Sequence, residues 1–330
     1  MVNNFSTKTY LTIVFSIIFL FYVIGVFWSF EPDEIDIKER VTADATLENV
    51  APVVGYTTTT TMIAVAETLL EKPGGYLSND AMPPSVMLDN IPAWEFGALE
   101  MIRDMALVMR QEFSRSQSQS RENEHLKSAH PKFNIDHTSW TLPSAESEYK
   151  SAIKDLYAYR KDLTDVNNQG AQFYARADNL SDWLKEVEKR LGSYSQRLSA
   201  SVGRNQVNLD LANDKEARQS TQAAANMQLK TSWWKIDDEF YEARGACWAL
   251  LHFLKAIEID FDEVLKNKNA KISVEQIIRE LEYSQQAVWS PIILNGDGFG
   301  LVANHSLVMA NYISRANAAL IDLRDLLNKG

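Results

Sequence analysis

"WKIDDEFYEARGACWALLHFLKAIEIDF", Trp234 to Phe261, is the stretch that decides the fold. It holds the chain's one cysteine, one of its five histidines and several carboxylates, so it reads either as an active-site helix or as the seam of a helical bundle. Stepping by four and three residues from Ile236 gives Ile236, Phe240, Ala243, Cys247, Leu250, Leu254, Ile257, Phe261 and Val264, an apolar stripe at helical period. Cys247 falls on that stripe as a small buried hydrophobe. Asp238, Gly245, His252 and Ile259 fall on the opposite stripe, and "ACWALLHFL" is apolar nearly all round. A helix with that pattern packs on more than one side and is central. It is a bundle seam first.

The same spacing recurs on both sides of this helix. From Tyr149 the apolar positions run through Ala152, Leu156, Tyr159, Leu163, Val166, Gly170, Phe173, Ala177, Leu180, Leu184, Val187, Leu191, Tyr194 and Leu198, which predicts one helix roughly 75 Å long, with Gly170 as its weak point. Ser144 is placed to cap its start. Met309, Ile313, Ala316, Leu320, Leu323 and Leu327 predict a last helix. Shorter helices are expected over 58–72, from about Pro92, and over 273–288, the last opened by a capping box of Ser273 and Gln276. Pro73-Gly74-Gly75, Tyr76–Trp94 and Pro131–Ser144 read as loops. Arg204–Lys230 is polar, either an exposed helix or a crossover, and no run competes as a strand. With 13 Gly and 9 Pro in 330 residues the composition suits long helices.

At the N-terminus, "TYLTIVFSIIFLFYVIGVFWSF" (9–30) carries no charge and is long enough to span a ~30 Å hydrocarbon layer. Tyr10 and Trp28 stand near its ends, where interfacial aromatics are favoured. "VFWSFEPDE" offers no small-residue cleavage site. Lys8 precedes the span, and that charge bias orients residues 1–8 to the cytoplasm and the remainder outward. Residues 31–55 are acidic and aperiodic and read as a linker, and residues 56–330 as an exported helical bundle. The net charge of −11 argues against nucleic acid. One cysteine excludes an internal disulfide framework and a cysteine-based zinc site.

No residue earns a catalytic, cofactor-binding or metal-ligating assignment. Glu239 and Glu242 stand one turn apart, but a carboxylate di-metal bundle needs Glu-x-x-His pairs, and neither His252 nor His305 completes one. They read as solvated or salt-bridged charge. His125, His130 and His137, with Asp136, match no zinc spacing. "NGDGFG" (295–300) lacks the lysine and the strand of a phosphate loop and reads as a turn. The Ser/Gln run 114–124 reads as an exposed helix end. Asn179-Leu180-Ser181 and Asn304-His305-Ser306 match the glycosylation pattern but fall in expected helices. Trp94, Trp140, Trp233, Trp234 and Trp289 sit at loop edges, either as a ligand groove or, as such residues more often do, locking helix ends on the core.

"KPGGYLSND", "PPSVMLDNIPAWEFGAL", "SRSQSQS", "FYARADNLSDWL" and "RLGSYSQRLSASVG", in this order behind one N-terminal span, resemble a family of uncharacterised proteobacterial envelope proteins catalogued as a domain of unknown function, family 2333. The resemblance covers nearly the whole chain and implies a bacterial inner-membrane protein with a periplasmic helical part. It carries over no catalytic residues and no cofactor.

The resulting expectation is an all-α protein: an N-terminal transmembrane helix plus an elongated helical bundle with long coiled-coil-like helices. The expected role is structural or adaptor, through contacts with the membrane, with other envelope proteins or with itself. The competing class is an envelope hydrolase built from loop histidines and carboxylates, which a convergent pocket with perturbed acids near His137 or His305 would favour.

Overall fold

A computed structural model of the chain describes residues 7–116, 121–165, 170–207, 226–290, 292–297 and 300–329. Its order is α1 (Thr7–Trp28), α2 (Ile37–Glu48), α3 (Tyr56–Glu71), α4 (Asn90–Val108, continued by a π turn, Met109–Phe113), α5 (Glu124–Phe133), α6 (Ala145–Thr164) and α7 (Ala177–Ser199). A short antiparallel ribbon follows, β1 (Arg204–Val207) paired with β2 (Asn226–Leu229). Then come α8 (Ile236–Asp260), α9 (Asp262–Asn267), α10 (Lys271–Ser284) and α11 (His305–Asn328). The fold is all-α, and the ribbon is an element the sequence reading did not expect.

The central stretch folds as its pattern requires. Ile236, Phe240, Ala243, Cys247, Leu250, Leu254, Ile257 and Phe261 are buried, and so are Gly245 and His252 on the opposite stripe. Burial pushes the Cys247 thiol up to about 12, which makes it an inert core group.

The closest contact of α8 is with α4. A Cβ on Gly245 would lie 1.9 Å from the carbonyl oxygen of Trp94, and one on Gly97 would lie 1.9 Å from that of Glu242. Only two glycines let the backbones approach so closely. The helices run parallel: the same number of residues beyond each glycine, the rings of Phe113 and Phe261 are 5.3 Å apart. In the other direction Asp89, the N-cap of α4, stands near enough to Asp238 on α8 to help raise its pKa behind the larger effect of burial. The bundle therefore has two ends. One holds the starts of α4 and α8. The other holds their finish, where Asp260 accepts from the backbone N–H and the hydroxyl of Thr58 (2.7 Å each) and so caps the start of α3. α3 consequently runs back against α8.

One expected helix proves to be two. The stripe positions Tyr149, Ala152, Leu156 and Tyr159 are buried on α6, and Leu180, Leu184, Val187, Leu191, Tyr194 and Leu198 on α7, yet the described residues between the two helices, 165 and 170–176, are not helical. α6 ends at Asp165 in an extended conformation, and 171–176 crosses the bundle end, with the Tyr174 N–H donating to Phe113 O (2.6 Å) and Tyr159 Oη to Gln172 O (2.8 Å). Apolar spacing records which face is buried on each helix but is blind to chain direction. The expected coiled-coil-like rod is thus a pair of shorter helices within a bundle. Val166 and residues 167–169 lie outside the described residues.

Other boundaries shift less. Ser144 Oγ does cap α6 through the Ser147 N–H (3.4 Å). Ser273 does not cap α10: the helix opens at Ala270, and Gln276 donates to Glu280 (2.7 Å) instead of closing a box. Pro131 lies inside α5, where a loop was expected. The ends of the polar stretch 204–230 form the ribbon, and its middle, 208–225, lies outside the described residues, as do 117–120 of the Ser/Gln run and 298–299 of the glycine turn.

The stripe assignment has a direct test. Leu184→Asp places a charge in a fully buried position on α7 and is expected to destabilise the protein by about 3 kcal/mol or more, read by chemical denaturation. An unchanged unfolding midpoint overturns the assignment.

Candidate functional site: the junction between the apolar helix and the bundle

α1 is long and apolar enough to cross a membrane, with a mean hydropathy of 2.5 over its most apolar window. It is the kind of N-terminal helix that serves as a membrane anchor or as a signal sequence. Gly25 is its one buried residue. The Trp28 ring lies over Gly74, close enough that a Cβ there would come within 2.8 Å of it. Beside Gly25, Leu88 and Pro84 stand at ordinary contact distance, 3.6 and 3.7 Å from where a Cβ would be. The last turn of α1 thus rests on two loops, 73–77 and 82–88.

The first loop is held from beneath by a buried ion pair. Lys72 Nζ meets Glu95 Oε1 at 2.6 Å with both side chains almost fully enclosed. Glu95 also accepts from the backbone N–H groups of Leu77 (2.9 Å) and Ser78 (2.8 Å), and Lys72 donates to Gly75 O (2.6 Å). Burial pushes the Glu95 carboxyl up, against the pull of Lys72 and the loop donors. A carboxylate is tolerated in the core here because every lone pair has a donor.

Beyond α1, residues 31–35 run extended along α8. Arg244 Nε donates to both carboxylate oxygens of Glu31 at 2.7 Å. Its Nη1 donates to Ser284 O (3.0 Å) and Gln286 O (2.8 Å), and its Nη2 to Gln285 O (3.0 Å). One guanidinium therefore satisfies the open carbonyls at the end of α10 and fixes the first acidic residue after the apolar helix. One and two turns further on, Trp248 Nε1 donates to Asp33 O (3.3 Å), and the Ile35 N–H donates to His252 Nε2 (2.9 Å). Lys255 pairs with Glu34 and with Glu282.

The geometry fixes the His252 tautomer. Trp248 O, 2.7 Å from Nδ1, can only accept, so the proton is on Nδ1 and Nε2 carries the lone pair that receives Ile35. Burial lowers its pKa to about 4.

The acidic segment is fastened at its far end as well. Arg40 of α2 pairs with Glu67 (2.8 Å). Arg160, buried on α6, donates to Asp44 (2.6 Å) and to Thr60 Oγ1 (2.9 Å), and bridges to Glu48 at 2.5 Å. Residues 31–55 were expected to form an aperiodic linker. Instead, 31–35 is a strap and 37–48 a helix capped by Asp36, whose Oδ1 accepts from the Glu39 N–H at 3.0 Å. Glu31, Glu34 and Glu48 find their charged partners, Arg244, Lys255 and Arg160, far along the chain, so the stretch itself gives no sign of them. The one local signal was an arginine embedded in the otherwise apolar "ARGACWALL".

The groups singled out from the sequence do not converge. Glu239 and Glu242 both bridge to Arg197, at 2.8 and 2.6 Å, as salt-bridged charge. His125 pairs with Asp162 (3.2 Å), His130 contacts Arg110, and His137 packs at a tilt against Phe96 with ring centroids 4.6 Å apart. His305 accepts from the Leu294 N–H (3.1 Å) and lines a cavity of ≈ 200 Å³ with Arg244, Tyr283, Trp289 and Tyr312, whose described lining includes no carboxylate. Among the described residues no three His, Cys, Asp or Glu side chains are placed to hold a metal ion. Asn179 is buried and donates to Glu112 O and Tyr174 O at 3.0 Å, and Asn304 caps α11, so both glycosylation patterns are structural here. Trp94 does lock a helix start in the core, but Trp140, Trp233, Trp234 and Trp289 are exposed.

Removing Arg244 leaves a half-buried carboxylate and three carbonyls without their donor. Arg244→Leu should cost about 3–5 kcal/mol, whereas Glu31→Gln, which keeps an acceptor, should cost nearer ~1 kcal/mol, both read by denaturant titration of the full chain in detergent. His252 adds a pH dependence. Its folded pKa lies below the ordinary value near 6.5, so the folded state binds fewer protons and the stabilisation is complete above pH ~6.5 and lost as pH falls towards 4. The stability difference between the wild type and His252→Gln should therefore shrink by up to about 3 kcal/mol over that interval. A difference independent of pH contradicts the neutral-histidine clamp.

The model of a family described as "Uncharacterized protein conserved in bacteria (DUF2333)" matches residues 3–330. No match was found among curated proteins or among solved structures. With the match running over nearly the whole chain, the protein belongs to this bacterial family.

Proposed function

We propose that the protein is a single-pass inner-membrane protein whose bundle faces the periplasm and works as a structural or adaptor element. In this reading it acts through contacts with other envelope proteins or with further copies of itself. The observation that carries this reading is the strap. An enzyme acting on diffusing substrates needs only a tether, and a flexible stalk would serve. Here the chain leaving α1 is bound at Glu31, Asp33, Glu34 and Ile35 to consecutive turns of α8. That arrangement holds the bundle at a fixed height and orientation beneath the membrane. Fixed presentation of surfaces is what a scaffold requires. The positive charge of Lys8 and the amino terminus ahead of the uncharged run of α1 supports the outward orientation.

Two measurements on cells test this. Leu47 is exposed on α2 and Cys247 is buried, so Leu47→Cys gives one reactive thiol on the bundle. A membrane-impermeant maleimide should label it in intact spheroplasts, and labelling only after lysis reverses the topology. Crosslinking in native membranes followed by affinity purification should recover one protein in near-stoichiometric amount, or self-crosslinks. Recovery of neither removes the adaptor reading.

A further inference from the structure

The chain carries eight tryptophans. Trp94, Trp183 and Trp248 are buried, and Trp28 sits on Gly74. The remaining four are open to solvent, from 68% for Trp140 to 97% for Trp289. Such large side chains normally find cover in a folded protein. All four lie at one end of the bundle, and it is the end at which α1 arrives.

The placement follows from contacts already described. Gly25 lies against Pro84 and Leu88, so the loop 82–88 stands at the level of the last turn of α1, about one helical turn inside its end at Trp28. Leu88 adjoins Asp89, the cap of α4, and α4 starts beside the start of α8. Trp233 and Trp234 precede that start. The strap gives an independent measure. It runs in the same direction as α8, from Glu31 at Arg244 to Ile35 at His252, so the turns of α8 before Arg244 extend back past Glu31 towards α1. From Arg244 to Trp234 that distance is about 15 Å. Trp140 is on the loop whose carbonyls at His137 and Ser139 accept from Tyr76 and Asn79, next to the seat of Trp28. Trp289 follows Gln286, which Arg244 holds at the level of Glu31.

Between these tryptophans, Met82 and Met87 project from the 82–88 loop at 75% and 76% exposure. The opposite end of the bundle has exposed aliphatic side chains such as Leu47 and Ile272 but no exposed tryptophan.

We infer that this end of the bundle docks into the lipid interface, with Met82, Met87, Trp140, Trp233, Trp234 and Trp289 as its contact residues. The inference rests on the reading of α1 as a membrane span, because the bilayer's position follows from α1. If α1 crosses the hydrocarbon layer, the level of Gly25 lies within the bilayer boundary, and the 82–88 loop lies there with it. Tryptophan is the side chain most at home in that layer, its ring in the apolar zone and its N–H towards the headgroups. The acidic residues nearby, Asp80, Asp89, Asp237 and Asp238, argue against attraction to anionic lipid. The contact is apolar and aromatic, and zwitterionic lipid suffices for it.

The test uses the full chain reconstituted in phosphatidylcholine bilayers, with an environment-sensitive fluorophore on single added cysteines at Phe19→Cys in α1, Met87→Cys in the loop and Leu47→Cys at the opposite end. Lipids brominated at shallow acyl positions supply the quencher. The expected result is quenched, blue-shifted emission at Met87, quenching at Phe19 by deeper bromines, and neither change at Leu47. Quenching at Phe19 with Met87 behaving like Leu47 overturns the docking inference and leaves the anchor intact. Absence of quenching at Phe19 overturns the anchor and the docking together. Emission at Met87 that becomes water-excluded only in native membranes, and never in pure lipid, assigns the face to a protein partner and overturns the lipid contact.

Discussion

Two backbones can lie this close only where neither residue has a side chain, and the pairing of Gly97 with Gly245 exploits that. Once α4 and α8 meet there and run parallel, both helices begin at the same end, and Phe113 and Phe261 must meet at the other. Neighbouring residues on the same turn of α8 then serve different surfaces. Gly245 faces α4, while Arg244 is turned to the end of α10 and to Glu31. The helix that builds the core is also the helix that receives the chain leaving the apolar α1. A displacement at the glycine contact would move both.

The strap on α8 shows how polar groups can fix geometry without forming an active site. Arg244 is held by three backbone carbonyls and the Glu31 carboxylate, and His252 by the carbonyl of Trp248 and the backbone N–H of Ile35. Arg160 fixes α2 through Asp44 and Glu48, and Glu95 fixes the loop under Trp28 through the N–H groups of Leu77 and Ser78. Buried pairs of this kind contribute little net stability compared with apolar packing, because desolvation offsets most of the attraction. What they contribute is a unique arrangement, since any other register leaves a buried charge alone.

The sequence disclosed the faces of the helices far better than their connectivity. Every stripe position on α8 from Ile236 to Phe261 is buried, as the three-four spacing indicates. The same rule joined α6 and α7 into one rod, because a stripe that resumes in phase after a non-helical crossing leaves the count unchanged. The acidic stretch 31–55 was opaque for a different reason. The residues that bind Glu31, Glu34 and Glu48, which are Arg244, Lys255 and Arg160, come more than 100 positions later in the chain. The exposed tryptophans were visible as residues but not as a group, since only the fold brings Trp140, Trp233, Trp234 and Trp289 to one end.

The most direct test of the account is amide hydrogen exchange across residues 29–36 in the full chain held in a lipid nanodisc. The Ile35 N–H, bonded to His252 Nε2, should exchange as slowly as the core amides of α8, because opening the strap requires breaking the Arg244 and Trp248 contacts with it. Exchange of that amide at the rate of an unstructured peptide, while α8 remains protected, would show the bundle hanging on a free tether and contradict the account.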